Sequence, residues 1–149
     1  MTQDPQTDSY HLDDQVGFLL RQVNQRHLAI FAKGIPDLTP TQFAALAKLC
    51  ELGKISQNAL GRATAMDAAT IKGVADRLRK KGYVTAAPDP KDQRRQLLSP
   101  SDQGRAAFAD VVQAAHHITA ETLTPLTDKE QVMFITLLRK MTGKGGNDG

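Results

Sequence analysis

Cysteine is nearly missing from this chain, tryptophan is missing altogether, and no long apolar run occurs. The one cysteine, Cys50, excludes an intrachain disulfide and any zinc site built on cysteine pairs. With five Phe, two Tyr and no Trp, a core has to rest on aliphatic residues and alanine. The longest apolar stretches, Leu28–Ala32 and Phe43–Ala47, are five residues each, far short of the roughly 20 that span a bilayer as a helix. The opening MTQDPQTDSYHLDD is acidic and polar, unlike the basic and then apolar start of a secretory signal. No glycine-rich phosphate loop, H-E-x-x-H or nucleophile elbow occurs. The adjacent His116 and His117 would diverge by about 100° on a helix and could not share an ion. These absences exclude a disulfide scaffold, a membrane-spanning protein and a zinc finger. They predict a cytoplasmic protein that is not an enzyme and uses no metal or cofactor.

What is present is an ordinary mixture, 40% hydrophobic and 23% charged, in 149 residues, which suits one domain. The charge is unevenly spread. From Arg62 to Arg95 nine cations stand against four acids, a local +5, while the remaining chain is at −2. The first twenty residues hold Asp4, Asp8, Asp13 and Asp14 and no cation. A basic middle between acidic or neutral flanks is the footprint of a polyanion-binding segment, although a solvated charged helix would have the same balance.

Apolar spacing and capping residues divide the chain. Residues 1–10 and 143–149 are too polar and Gly-rich to bury anything and read as disordered tails. From Leu12 to Lys33 the positions Val16, Leu19, Leu20, Val23, His27, Ile30 and Phe31 recur at helical spacing, and Gly34 and Pro36 end the run. Thr39-Pro40-Thr41-Gln42 reads as a capping box that opens a second helix, with Phe43, Leu46, Ala47 and Cys50 as its buried stripe. Ser56 caps a short helix over 57–63, and Asp67 caps another that runs to about Lys81 and closes at Gly82. Then the period changes: Tyr83–Ala86 and Arg95–Ser99 read as strands, joined by a stiff tip over Pro88–Asp92. Two helices follow Ser101. The first has Phe108, Val111, Val112, Ala115 and Ile118 on one stripe, and the second opens with the box Thr127-Asp128-Lys129-Glu130 and carries Val132, Met133, Leu137 and Met141.

The fold class is therefore mainly α with a small β-hairpin. A helix-turn-helix followed at once by a hairpin is a winged helix, which lays one helix in a DNA major groove while the hairpin reaches the minor groove. The helix after Asp67 suits the groove. Ile71, Val74, Ala75 and Leu78 form its core face, and the outer face presents Ala69, Gly73, Asp76 and Lys80, flanked by Thr70, Lys72 and Arg77. Small residues there let the helix approach base edges. Thr70 can hydrogen-bond an edge or a phosphate, and Lys72 and Arg77 can meet phosphates or guanine. At the hairpin, Lys91, Arg94 and Arg95 surround the tip, and an Arg held there can enter a narrow minor groove. Gln57 and Arg62, on the preceding helix, join the candidate DNA contacts.

These residues carry a resemblance. From about Val16 to Met141 the chain resembles the MarR family of dimeric winged-helix repressors, in its order of helices and in Asp89-Pro90-Lys91-Asp92-Gln93-Arg94, which is similar to the wing signature D-x-x-D-R-R. Gln93 replaces the first Arg of that signature, and Pro100-Ser101 stands where Leu-Thr is usual, which predicts a shortened strand. The resemblance implies that Arg94 enters the minor groove, that Asp92 positions it, and that Asp67 through Arg77 read the major groove, with Ala68 at a place where a larger polar residue is common. It implies one domain over 11–142: a winged helix over about 37–100, with helices over about 11–34 and 101–142 forming an intertwined homodimer. Two such winged helices would read a pseudo-palindromic operator in double-stranded DNA, with half-sites about one turn, or roughly 34 Å, apart.

Within the family, Arg21-Gln22-x-x-x-x-His27-Leu28-Ala29-Ile30-Phe31 and Leu38-Thr39-Pro40-Thr41-Gln42-Phe43 resemble the subgroup that controls degradation of aromatic acids of the nicotinate type. That likeness implies a small aromatic carboxylic acid as effector. Arg21 would pair with its carboxylate, His27 would bond a ring substituent, and Phe31 and Phe43 would sandwich the ring. A core histidine and a surface ion pair are the plainer readings of His27 and Arg21. Cys50, on an apolar stripe with only Lys48 and Lys54 near in sequence, reads as packing rather than as a redox sensor. A winged-helix module that binds protein or RNA, and a redox- or metal-responsive regulator, stand as alternatives.

Overall fold

Side-chain caps mark where helices begin. In the computed structural model, which describes residues 9–143, Thr39 and Thr127 each form a complete capping box, while Ser56 and Asp67 accept from Ala59 N and Thr70 N. The elements are a 3-10 turn over Leu12–Asp14, α1 (Val16–Gly34), α2 (Pro40–Leu52), β1 (Ile55–Ser56), α3 (Gln57–Ala63), α4 (Ala68–Lys80), β2 (Val84–Asp89), β3 (Asp92–Pro100), α5 (Asp102–Thr122) and α6 (Asp128–Met141). The expected tails over 1–10 and 143–149 lie outside the described residues except for Ser9, Tyr10 and Gly143.

The chain divides into two compact units, residues 31–116 and residues 1–30 with 117–149. The central unit holds most of the buried side chains. Ile35, Leu46, Leu49, Leu60, Ile71, Leu78 and Leu98 are fully buried, and α2, α3 and α4 pack on one another and on the sheet. The sheet is antiparallel in the order β1-β3-β2, with Ile55 opposite Leu98 and Val84 opposite Pro100. Each aliphatic side chain buried here contributes about 1.5–3 kcal/mol.

Several local expectations are corrected. The first helix starts at Val16 rather than Leu12, because Gln15 is extended and its carbonyl accepts from Leu19 N. On α2 the buried face is Gln42, Ala45, Leu46 and Leu49; Phe43, Ala47 and Cys50 are half-buried, since α4 and β3 pack on the other side of the stripe. The strands are longer than expected, so the hairpin tip is only Pro90 and Lys91. Pro88 sits inside β2 opposite Gln96, which an edge strand tolerates. Nor does Pro100 shorten β3, which pairs through it. Ser101 then caps the next helix, accepting from Gly104 N and donating to the Gly82 carbonyl.

Two glycines make this connection possible. Gly82 takes φ +82° to leave α4 and turn into β2. Gly104 lies so close to the Tyr83 carbonyl that any Cβ would collide with that backbone oxygen.

The terminal unit is built differently. Arg26 donates to the Glu121 and Thr122 carbonyls at the end of α5, and Gln131 Nε2 bonds the Leu123 and Leu126 carbonyls, so the α5–α6 turn is well tied. Yet only Ile118 and Leu123 are buried among its described apolar side chains. Tyr10, Leu12, Val16, Leu19, Leu20, Val23, Leu28, Val132, Met133, Leu137 and Met141 are all exposed.

Replacing Gly104 with alanine should destabilise the central unit by at least the about 1–3 kcal/mol typical of overpacking, because the obstacle is backbone rather than a movable side chain. Urea denaturation followed by circular dichroism measures it. A midpoint equal to that of the unaltered chain would contradict the packing described.

Candidate nucleic-acid interface

The turn between α3 and α4 is closed by its own polar groups. Thr64 Oγ1 donates to the Leu60 carbonyl at 2.7 Å, Met66 N donates to Gly61 O at 2.8 Å, and Ala65 takes φ 58°. Asp67 Oδ1 then accepts from Thr70 N at 2.8 Å, and the hydrogen bonds from Thr70 hold the Asp67 carboxyl below its ordinary value. This charged cap sits at the positive end of the helix, where an anion is favoured.

The expected faces of α4 are observed. Ile71, Val74, Ala75 and Leu78 are buried, while Ala68, Ala69, Thr70, Lys72 and Arg77 are exposed. Gly73 and Asp76 are half-buried between them. Lys72 Nζ lies 3.3 Å from Asp76 Oδ2, one turn along, and Arg77 Nη1 donates to the Gly73 carbonyl at 3.4 Å. Exposed pairs of this kind contribute little to stability, so the two cations can exchange these partners for a phosphate or a guanine edge.

The wing is set by two aspartates. Asp92 Oδ1 accepts from both Arg94 N at 3.1 Å and Arg94 Nε at 3.2 Å, which anchors the root of a side chain that is otherwise 91% exposed. Asp89, buried, accepts from Lys91 N at 2.9 Å and faces Arg95 Nη1 at 3.9 Å. The sequence pointed to the first pair and missed the second, which depends on the register shift at Pro88/Asp89. Gln57 is half-buried in the first turn of α3, Arg62 is exposed in its last turn, and Lys91 is exposed at the tip. All eleven candidate DNA contacts belong to the central unit.

The candidate effector residues divide between the units. Arg21 and His27 belong to the terminal one, Phe31 and Phe43 to the central one. Arg21 is exposed. His27 is half-buried, with Nδ1 3.0 Å from Thr122 Oγ1, and it borders a 280 Å3 cavity whose walls include Leu20, Val23, Phe134 and Leu138. Thr122 is 95 positions away in sequence and was not foreseen. Phe31 and Phe43 do not form two parallel walls. Their centroids are 6.0 Å apart at 65°, edge to face, and Phe43 also meets Phe108 at 5.8 Å. The three rings form an aromatic cluster in which the edge-to-face contact suits the ring quadrupoles.

Cys50 is half-buried, and burial pushes its thiol up, while the Arg105 guanidinium pulls less strongly the other way. Arg105 Nη1 also donates to the Cys50 carbonyl at 3.5 Å, a neighbour that sequence spacing could not reveal. Burial thus favours the protonated thiol, the less nucleophilic form. Among the described residues no group of three His, Cys, Asp or Glu could hold a metal, and no helix is long and apolar enough to cross a membrane.

The MarR family profile matches residues 37–95, from the loop before α2 to the wing arginines. The chain is also 38% identical over 142 residues to the HTH-type transcriptional repressor NicR of Pseudomonas putida, spanning 94% of this chain and 90% of that one. The chain belongs to the MarR family. Its relatives are transcriptional regulators, and this MarR chain is a regulator rather than an enzyme. A probable transcriptional regulator from Pseudomonas aeruginosa has the same fold with a TM-score of 0.85 at 52% identity, covering 88% of this chain and 99% of that one. BpsR of Bordetella bronchiseptica, whose DNA binding is regulated by 6-hydroxynicotinic acid, superposes with a TM-score of 0.86 at 41% identity over 89% of this chain and 96% of its own. The resemblance drawn from the wing and the helix order is thus correct, as is the winged-helix fold class.

Gly73 supplies a test of the outer face. Its φ is not in the left-handed region, and a Cβ there would meet only the movable Arg77 Nη1 at 3.3 Å, so the fold does not require glycine. Gly73→Ala should raise stability by about 0.5–1 kcal/mol, as expected within a helix, and at the same time weaken binding to operator DNA. Unchanged DNA affinity would remove Gly73 from the interface.

Proposed function

We propose that this MarR-family regulator acts in the cytoplasm as a homodimeric repressor, bound to a pseudo-palindromic operator and released by a small aromatic carboxylic acid. The observation that carries the reading is Arg94, tethered at its root by Asp92 and extended into solvent on the same unit as the small, basic face of α4. An arginine held in this way suits a narrow minor groove, and the α4 face suits the adjacent major groove. Arg62, Lys72, Arg77, Lys91 and Arg95 supply phosphate attraction, while Ala68, Ala69, Thr70 and Gly73 allow close approach to base edges.

Exposure supports the domain plan. The winged helix occupies about 37–100, and the helices over about 11–34 and 101–142 serve dimerisation. Eleven exposed apolar side chains in the terminal unit support this, since a second copy would cover them. The effector reading rests on likeness to BpsR and on four side chains. On the terminal unit Arg21 would take a carboxylate in the bidentate manner of a guanidinium and His27 would bond a ring substituent in exchange for Thr122, and on the central unit Phe31 and Phe43 are the candidates for ring contact. An effector that favours a dimer with altered half-site spacing would weaken DNA binding through a coupling of about 1–3 kcal/mol, or roughly 5–150-fold.

Fluorescence anisotropy with the intergenic duplex beside the protein's own gene, against a scrambled duplex and across a salt series, tests this. The unaltered protein should prefer the intergenic duplex with a steep salt slope. Arg94→Ala and Lys72→Ala should each weaken binding and lower the slope by about one. 6-Hydroxynicotinic acid or a related acid should release the DNA, and Arg21→Ala should abolish that release while leaving DNA affinity intact. Release that requires intact Cys50, or that a chelator abolishes, would instead favour a redox or metal sensor.

A further inference from the structure

A cleft of 140 Å3 opens between the start of α3 and the wing, lined by residues of polar type: Ser56, Gln57, Asn58, Arg94, Arg95 and Gln96. It offers guanidinium and amide donors and no carboxylate, the reverse of the apolar cavity beside His27. The two consecutive arginines have different keepers. Asp92 anchors Arg94 by its Nε, whereas Arg95 faces the buried Asp89, which also fixes the wing turn through Lys91 N. Both arginines border the cleft, but their different partners give them different reach. Arg95 is held closer in, its side chain 53% exposed against 91% for Arg94.

We propose that this cleft seats one backbone phosphate of the bound duplex, so that the wing and the start of α3 grip the same phosphodiester. Arg95 supplies the charge and the planar fork that fits a phosphate, while Gln57, Asn58 and Gln96 supply neutral donors. The proposal rests on the DNA-binding reading above and assigns Arg95 a task apart from minor-groove reading. Its contribution is to position the protein on the duplex, not to specify sequence. Asn58 and Gln96, which the sequence pattern did not single out, become DNA contacts.

The test uses the full chain with the intergenic and scrambled duplexes across a potassium chloride series. Arg95→Ala should weaken binding to both duplexes by a similar factor, roughly three- to ten-fold, and lower the salt slope by about one. Arg95→Lys should keep the slope and recover part of the affinity, and Asn58→Ala should weaken binding without changing the slope. Single methylphosphonates placed along the duplex then locate the contact. One position per half-site should weaken the unaltered protein and have no further effect on Arg95→Ala. An unchanged slope in Arg95→Ala, or losses that add at every position, would overturn the proposal. If the unaltered protein shows no preference for the intergenic duplex, the operator reading fails, and the slope on scrambled DNA still decides the cleft.

Discussion

Ile71, Val74, Ala75 and Leu78 lock α4 to the rest of the central unit, and the functional surface depends on that lock. Each successive residue of a helix is turned by about 100°. Turning α4 by one position would push Lys72 toward the interior and expose Ile71, at a cost in desolvated charge and lost apolar burial that the fold could not sustain. The outer face is therefore set by the inner one. Asp67 fixes where the helix begins, Gly82 fixes where it ends, and the wing starts two residues later. Helix α4 and the hairpin are thus held in register by a short, well-packed stretch of chain.

The two units solve different problems. The central unit buries its apolar residues within one chain, as a small domain must. The terminal unit leaves a broad apolar surface uncovered while carefully satisfying its backbone, through Arg26 at the end of α5 and Gln131 in the following turn. A surface with paired polar groups and unpaired apolar ones is prepared for another protein surface rather than for water.

Local chemistry was legible in the sequence. The caps at Thr39, Ser56, Asp67 and Thr127 depend on residues at most three apart, and the inner face of α4 follows from helical spacing alone. The Asp92–Arg94 pair, two residues apart, was legible for the same reason. What escaped depends on distant partners. β1 is two residues long and exists because Leu98 and Leu97 lie opposite it. The buried side of α2 is chosen by α4 and β3, so a symmetric run such as Phe43–Ala47 does not reveal it. His27 with Thr122, Cys50 with Arg105 and the edge-to-face contact of Phe31 with Phe43 are tertiary meetings that no spacing encodes. The wing lies between these cases, because its motif is local but the bulge that turns Arg95 toward Asp89 comes from strand register.

Under the proposed function, two copies of this chain would present the α4 face and the wing to one side of a DNA duplex. Hydroxyl-radical footprinting on the intergenic DNA beside the protein's own gene tests it most directly. The footprint should show two protected half-sites centred about one helical turn, or roughly 34 Å, apart, with minor-groove protection flanking each where Arg94 would enter. A single protected patch, or uniform weak protection along the duplex, would contradict it.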